Sequence, residues 1–390
     1  MCSLPIKVAI VTPGTFPIPS GTSSSVEMVV NHTAKHLVKH MGVYVLGRKT
    51  LHQPSHEVQE GVHYLRVRYE KPASYIARVS QQIKLVKPNV IQVENRPRFV
   101  RYLRRRHPGI KISLMLHSTS FISMPHISVR ELSTCLRAAN VIVVNSDFLK
   151  RLIQRKVPSC SHKVVTQHLG ADLSQFTSKW TPEGSESRLE TLKKLGYENK
   201  KIILFVGRLI PKKGVHHLLD AMLQVIRSEP DAILLIVGSA YYGKDTQTDY
   251  VRKLHRMGSS MPQYVRFFPY VAHNDIAKWY QLADVVAVPS APNEAFGLVN
   301  VEAMAAGVPV VATRSGGIQE VVNHGTTGYL INPDQIADEL PRYLVRVLGD
   351  VELQKVMGEQ GLQRVKHLFT WERSADQWFE RYRSMMKSMR

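Results

Sequence analysis

At 390 residues, with 44% hydrophobic and 21% charged residues, the chain has the composition of a globular protein with room for two domains. Three scattered cysteines, Cys2, Cys135 and Cys160, exclude a disulfide framework and a cysteine metal spacing, which points to a reducing compartment. The net charge of +21 is lopsided: residues 1–180 hold 26 Lys and Arg against 8 Asp and Glu, residues 181–390 hold 26 against 23.

That excess leaves two readings of the N-terminal half. It either meets an anionic partner, such as acidic lipid or an anionic polymer, or is a soluble basic surface. Nucleic acid is set aside, because no aromatic-basic motif or reader signature accompanies the charge. No apolar run approaches the roughly 18 residues of a membrane span. The N-terminus has no signal-peptide stretch, so the expected location is cytoplasmic.

In chain order, strands are expected at Lys7–Val11, Val43–Leu46, Val62–Val67, Val90–Val93, Lys111–Leu116, Val141–Val144 and Lys163–Gln167. Helices intervene at Ser24–His40, Ser74–Leu85, Arg98–Arg106, Val129–Ala138 and Asp147–Arg155. Such alternation predicts a parallel sheet covered on both faces. The helix Arg98–Arg106 sets Arg98, Arg101, Arg104, Arg105 and Arg106 around Phe99, Val100 and Leu103. Its arginines lie either on a membrane or on a solvated face. Residues 176–199 read as a linker, with Thr181–Ser185 as loop and Arg188–Leu195 as a short helix.

A second alternating run follows. Strands are expected at Ile202–Val206, Ala232–Val237, Val265–Phe268, Val285–Val288, Val308–Ala312 and Gly328–Ile331. The helices between them are Val215–Ser228, Thr246–Met257, Asn274–Leu282, Leu298–Ala306, Ile318–Asn323 and Ile336–Leu348, and residues 351–390 are helical with a break near Phe369–Trp371. The expected architecture is α/β: two doubly wound Rossmann-like domains, 1–175 and 200–371, facing a cleft, with a last helix, 372–390, crossing back to the first.

The densest chemistry lies in Pro289–Glu320. A buried strand, Val285–Val288, runs into a loop carrying Glu294, then into a helix carrying Glu302. N–H groups at the helix start favour an anion, and the two carboxylates can hold hydroxyls on either side of it. A phosphate flanked by two hydroxyl-bearing groups describes a nucleotide sugar. Gly207–Gly214 follows the strand Ile202–Val206 and supplies Arg208 and Lys213, a bidentate donor and a point charge suited to a diphosphate.

Other segments are less specific. Gly238–Asp245 has the glycine and lysine spacing of a phosphate loop, but Asp245 stands where a magnesium-holding Ser or Thr belongs. Gly238 is instead expected to let the backbone approach a ligand. His117, just past the strand Lys111–Leu116, is either a group near a reacting sugar or an incidental surface histidine. Ser20-Gly21-Thr22-Ser23 is either an anion-binding turn or an ordinary loop before a helix. Trp279, Tyr280, Trp371 and Trp378 read as packing residues. The histidines show no ligand spacing, and no metal site is expected.

Taken together, the motifs G-R-L-x-x-x-K-G at 207–214, E-x-F-G at 294–297, E-A-M-A-x-G-x-P-V-V-A at 302–312 and G-G-x-x-E at 316–320 resemble the retaining glycosyltransferases of family 4. Gly170-Ala-Asp172, Phe176 and Phe369-Thr-Trp371-Glu372 fit the same family. Asn95-Arg96-Pro97, Leu116-His117 and Val144-Asn145-Ser146 look most like its spore-coat type.

The resemblance implies a GT-B fold and transfer of a hexose-type sugar from a nucleotide-diphosphate donor with retention. It assigns Arg208 and Lys213 to the diphosphate, Glu294 to donor sugar hydroxyls, and Phe296, Gly297 and Leu298 to sugar and phosphate through their backbones. It assigns Glu302 to the ribose, Val271 to the base side and His117 to the transferred sugar, and it sets Gly21 and Thr22 in the first loop. Here Gly21-Thr22 departs from the family's frequent Gly-Gly, Ser118 from an acidic residue after the histidine, and Gln319 from a proline before Glu320.

No cofactor or metal is then required, and a UDP sugar is the leading choice of donor. The acceptor would be a cell-surface, spore-coat or glycolipid glycan, with the protein peripheral at the inner membrane or associated with the coat. The other reading is a structural coat protein that keeps the fold with little or no activity.

Overall fold

The computed structural model describes residues 6–243, 246–273 and 275–387. They fall into two compact units, Met1–Leu169 with Trp371–Arg390, and Gly170–Thr370. Lys244 and Asp245, on which the rejected phosphate-loop reading turned, lie outside the described residues, as do Cys2 and Asn274.

The first unit carries eight strands: β1 Lys7–Val11, β2 Gly42–Arg48, β3 His56–Gln59, β4 Val62–Val67, β5 Val90–Glu94, β6 Lys111–Leu116, β7 Val141–Val144 and β8 Val164–Thr166. They pair in the order β3-β4-β2-β1-β5-β6-β7-β8. All pairs are parallel except β3 with β4. Strand β3 was not expected. It is a four-residue edge strand with Glu57 and His56 on it, and it lacks the apolar run that marks a buried strand.

The second unit carries six: β9 Lys201–Val206, β10 Ala232–Val237, β11 Val265–Phe268, β12 Val285–Val288, β13 Val310–Thr313 and β14 Gly328–Ile331. Their order is β11-β10-β9-β12-β13-β14, all parallel. Helices cover both faces, so strands such as Ala232–Val237 are buried throughout and read as unbroken apolar runs. In each unit the strand order reverses once, between β1 and β5 and between β9 and β12. Ligands of open α/β sheets bind outside the carboxyl ends of strands at such a reversal.

Three local differences have simple causes. The helix expected from Arg188 begins at Pro182, because Thr181 caps it through Gly184 N–H and proline suits the first helical position. Segment 176–199 is held to the second unit: Trp180 Nε1 donates to Gly307 O at 2.9 Å, and Arg188 and Lys179 both pair with Asp284. Strand β13 starts at Val310 rather than Val308, whose N–H still belongs to the preceding helix through Ala303 O.

The arginine-rich helix Pro97–Arg106 buries Phe99, Val100 and Leu103. Two of its arginines are committed within the unit. Arg98 grips Glu131 bidentately at 2.7 Å, and Arg104 donates to the carbonyls of Ala138, Pro108 and Ile110. Arg105 and Arg106 are exposed.

Trp371, Trp378 and Tyr382 are buried on the last helix, Trp371–Lys387, which packs on Ser25–Leu37 through His32 against Trp371 and on the turn after it through His40 against Phe379. Glu27, in the first turn of Ser25–Leu37, is fully buried and takes a hydrogen bond from Ser24. Burial pushes its carboxyl up to about 7, against the opposing pull of Ser24, Arg96 and His117. The folded state therefore keeps a proton that the unfolded chain releases. Glu27 costs nothing below about pH 4.5, and its cost grows to about 3 kcal/mol above pH 7. Glu27→Gln should accordingly raise the melting temperature more at pH 8 than at pH 5.5, as read by calorimetry at both.

Candidate active site

Strands β9 and β12 lie side by side at the reversal, with Val285 and Val286 in register with Ile203 and Leu204. Their carboxyl ends release the loops 207–214 and 289–297. Gly214, at φ +70°, ends the turn Pro211–Lys213, and a Cβ there would stand 1.9 Å from the carbonyl oxygen of Pro289. Ala291 N–H donates to Lys212 O at 2.8 Å. The two loops are thus joined backbone to backbone.

This brings Lys213 to Glu294, Nζ to Oε2 at 2.7 Å, with each side chain about a quarter exposed, at 24% and 23%. Burial pushes the Glu294 carboxyl up, but Lys213 and Arg208 outweigh it and hold it below the usual range. Glu294 is therefore an anion at neutral pH, set among cations. Arg208 lies 5.6 Å over the Tyr242 ring, which meets Tyr270 edge-on. Val271, half-buried after β11, follows Tyr270.

Glu302 stands in the opposite environment, on the helix Leu298–Ala305. Burial raises its carboxyl, and only a hydrogen bond from Tyr280, at 2.7 Å, opposes it. Tyr280 was expected as core alone. It is fully buried, but its hydroxyl orients a carboxylate of the site. A buried tyrosine beside a half-buried acid leaves no pattern in sequence, since the two are 22 residues apart.

The helix start is arranged around Gly297 at φ +80°, whose carbonyl takes both the backbone N–H and the side-chain amide of Asn300. Phe296 is 2% exposed and packs on Phe369, so only its backbone is left to meet a ligand. Gly238 does not leave room for a ligand as expected: a Cβ there would fall 1.9 Å from Gly207 O, so the close approach is between two turns of the chain itself.

In the first unit, His117 follows β6, and its side chain is 7% exposed with Nε2 2.6 Å from Glu94 Oε2. The ring is therefore held mostly inside the unit. Gly21 and Thr22 form an exposed turn in which Thr22 N–H donates to Ser20 Oγ at 3.2 Å, and Ser24 caps the helix that follows. Among the described residues, no group of three or more His, Cys, Asp or Glu is placed to hold a metal.

The Gly316-Gly317 pair secures Glu294. Gly317 N–H donates to Glu294 O at 2.9 Å, and Glu294 N–H donates to Ser315 Oγ at 3.2 Å. A Cβ on Gly316, φ +51°, would lie 2.0 Å from Glu294 O, whereas one on Gly325, φ +80°, meets nothing within 4 Å. Both alanine variants carry backbone strain of about 1 kcal/mol. Gly316→Ala should lose a further ~1–3 kcal/mol in chemical denaturation, and equal losses would contradict the steric account.

Residues 187–364 match the family profile of the glycosyl transferases group 1. Over 375 residues the chain is 31% identical to spore coat protein SA of Bacillus subtilis (strain 168), covering 95% of this chain and 97% of that protein. Sucrose-phosphate synthase from Thermosynechococcus elongatus matches with a TM-score of 0.80 at 23% identity, over 98% of this chain and 100% of that one. Anabaena Alr3699/HepE, solved with UDP-glucose, matches at 0.77 and 22%, over 97% and 100%. The two sheets, parallel apart from the β3 edge, are thus those of the GT-B fold. The chain belongs to the group 1 glycosyl transferases, glycosyltransferase family 4, and is a glycosyltransferase.

Proposed function

We propose that the protein transfers a hexose-type sugar, with retention, from a UDP sugar to a hydroxyl of a cell-surface, spore-coat or glycolipid acceptor. The observation that carries this is the Lys213–Glu294 pair, with Arg208 beside it, at the reversal between β9 and β12. A cationic pair suits a diphosphate, and an ionised carboxylate next to it suits sugar hydroxyls. Glu302 takes the ribose hydroxyls, Val271 the base side, and the backbones of Phe296, Gly297 and Leu298 the sugar and phosphate. A structural neighbour solved with UDP-glucose supports uridine as the base.

Both glutamates are committed to positioning, so neither is free to act as the nucleophile of a double displacement. The acceptor oxygen then attacks the anomeric carbon on the face that the diphosphate leaves. The C–O bond to the diphosphate breaks, the bond to the acceptor forms, and the acceptor proton passes to a departing phosphate oxygen. Arg208, Lys213 and the helix start stabilise the charge that develops on the leaving group. With that positive field supplied by the chain, the proposal calls for no divalent cation.

His117 is assigned to the transferred sugar, and residues 1–175, with Gly21 and Thr22 in their first loop, to the acceptor. The exposed Arg105 and Arg106 supply charge for an anionic membrane surface. No helix among the described residues is long and apolar enough to cross a membrane. The relative's name, spore coat protein SA, favours a second reading, a coat component with little or no turnover.

A thermal-shift series with UDP, GDP and ADP should show the largest stabilisation with UDP, lost in Arg208→Ala. Glu294→Ala should then abolish turnover of UDP-glucose in the presence of an acceptor glycan. A folded wild type that no nucleotide stabilises would favour the coat reading. Tyr280→Phe should weaken UDP by about 10-fold or more, from the loss of one hydrogen bond to a charged group. That loss should deepen as pH falls, because the freed Glu302 carboxyl, already raised by burial, rises further.

A further inference from the structure

Four buried polar side chains of the first unit form one line from the last helix to the end of β6. Tyr382 donates its hydroxyl to Gln92 Oε1, and Gln92 Nε2 donates to Glu94 Oε1. Glu94 Oε2 then meets His117 Nε2 at 2.6 Å. Tyr382, Gln92 and Glu94 are 0%, 3% and 1% exposed.

The line has a direction. Because the Gln92 carbonyl accepts from tyrosine, its amide N–H₂ faces Glu94. A carboxylate only accepts, so the hydrogen between Glu94 and the ring sits on Nε2. The ring is also fixed from its backbone: His117 N–H donates to Asn95 Oδ1 at 3.3 Å, and His117 O accepts from Asn145 Nδ2 at 3.1 Å. The cavity beside the pair measures about 10 Å³ and is lined by Gln92, Glu94, His117, Thr33 and Gln167 among others. It has room for one water and none for a sugar. The other charges acting around the ring are Glu27, whose carboxyl feels His117, and Arg96, which acts on Glu27 in turn.

We propose that Glu94 is a positioning residue that holds His117 with Nε2–H turned inward, so that Nδ1 is the atom presented to the transferred sugar. In the neutral ring, Nδ1 accepts a hydrogen bond from a sugar hydroxyl. Gln92 and Tyr382 set Glu94 by occupying its other oxygen. The sugar in this statement rests on the donor reading of His117, whereas the state of the ring does not.

The two parts separate experimentally. Long-range ¹H–¹⁵N spectra of the histidine rings, taken on the full chain without substrate, read the tautomer. Wild type should show Nε2–H for His117, assigned by its loss in His117→Asn. In Glu94→Gln, Gln92 takes the new carbonyl, so the new amide N–H₂ faces Nε2 and should flip the ring to the Nδ1–H form. Glu94→Asp keeps an acceptor there and should retain Nε2–H.

With UDP-glucose hydrolysis as the probe reaction, Glu94→Gln should lower kcat at least 10-fold, change KM less than 3-fold and move the pH profile of kcat. Glu94→Asp should recover part of the rate, and Tyr382→Phe should lower kcat 2- to 5-fold without flipping the ring. An Nδ1–H ring in wild type overturns the proposal, as does an unflipped ring in a folded Glu94→Gln protein. A flipped ring with unchanged kcat overturns the assignment of Nδ1 to the sugar. If wild type neither binds nor hydrolyses UDP-glucose, the donor reading fails by itself, and the spectra still decide what Glu94 does. If Glu94→Gln does not fold, the wild-type, Glu94→Asp and Tyr382→Phe spectra decide it.

Discussion

The pairing of Lys213 with Glu294 depends on almost everything else in the second unit. The two residues come from different loops, and only the adjacency of β9 and β12 brings those loops together. Here the two strands are parallel and do not follow each other in sequence, so crossover connections carry the chain between them. The approach is close enough that Gly214 lies against the Pro289 carbonyl with no room for a side chain. An ion pair about a quarter exposed contributes little to stability. What it fixes is the placement of a cation and a carboxylate beside each other where a diphosphate sugar would need both.

The two glutamates show how one helix-and-loop segment produces two different acids. Glu294 lies among cations and stays ionised, whereas Glu302 has a single tyrosine donor and is raised by desolvation. Carboxyls with opposite environments are suited to different tasks. On the proposed reading, Glu294 would make charge-assisted contact with sugar hydroxyls and Glu302 would meet the ribose. In the first unit, Glu94 meets a histidine, whereas Glu27 is buried with a raised carboxyl.

The strands of both sheets were legible because a doubly covered parallel strand is an unbroken apolar run, as in Ala232–Val237. The edge strand His56–Gln59 was not, because an edge faces water and tolerates Glu57 and Gln59. Arg208, Lys213, Glu294 and Glu302 stood out as candidates because they sit in glycine-punctuated loops and helix starts of fixed spacing. Tyr280, Glu94 and Gln92 were missed for the opposite reason. They act through contacts across the fold, Tyr280 with a residue 22 positions away and Gln92 with one 290 away. Glu94 did leave a trace: a carboxylate ending a buried strand, with a glutamine two residues before it, needs partners that the local sequence does not supply.

The first unit is discontinuous along the chain, and this bears on the order of its assembly. Residues 1–169 leave the ribosome first, but the helix Ser25–Leu37 lacks its cover until Trp371–Lys387 has been made, about 200 residues later. At ~5–20 residues per second, that is a wait of roughly 10 to 40 s with an apolar face exposed. The buried Tyr382–Gln92–Glu94 line closes at the same late moment. Vectorial synthesis therefore completes the second unit before the first, and the apolar face of Ser25–Leu37 stays uncovered until the last helix arrives.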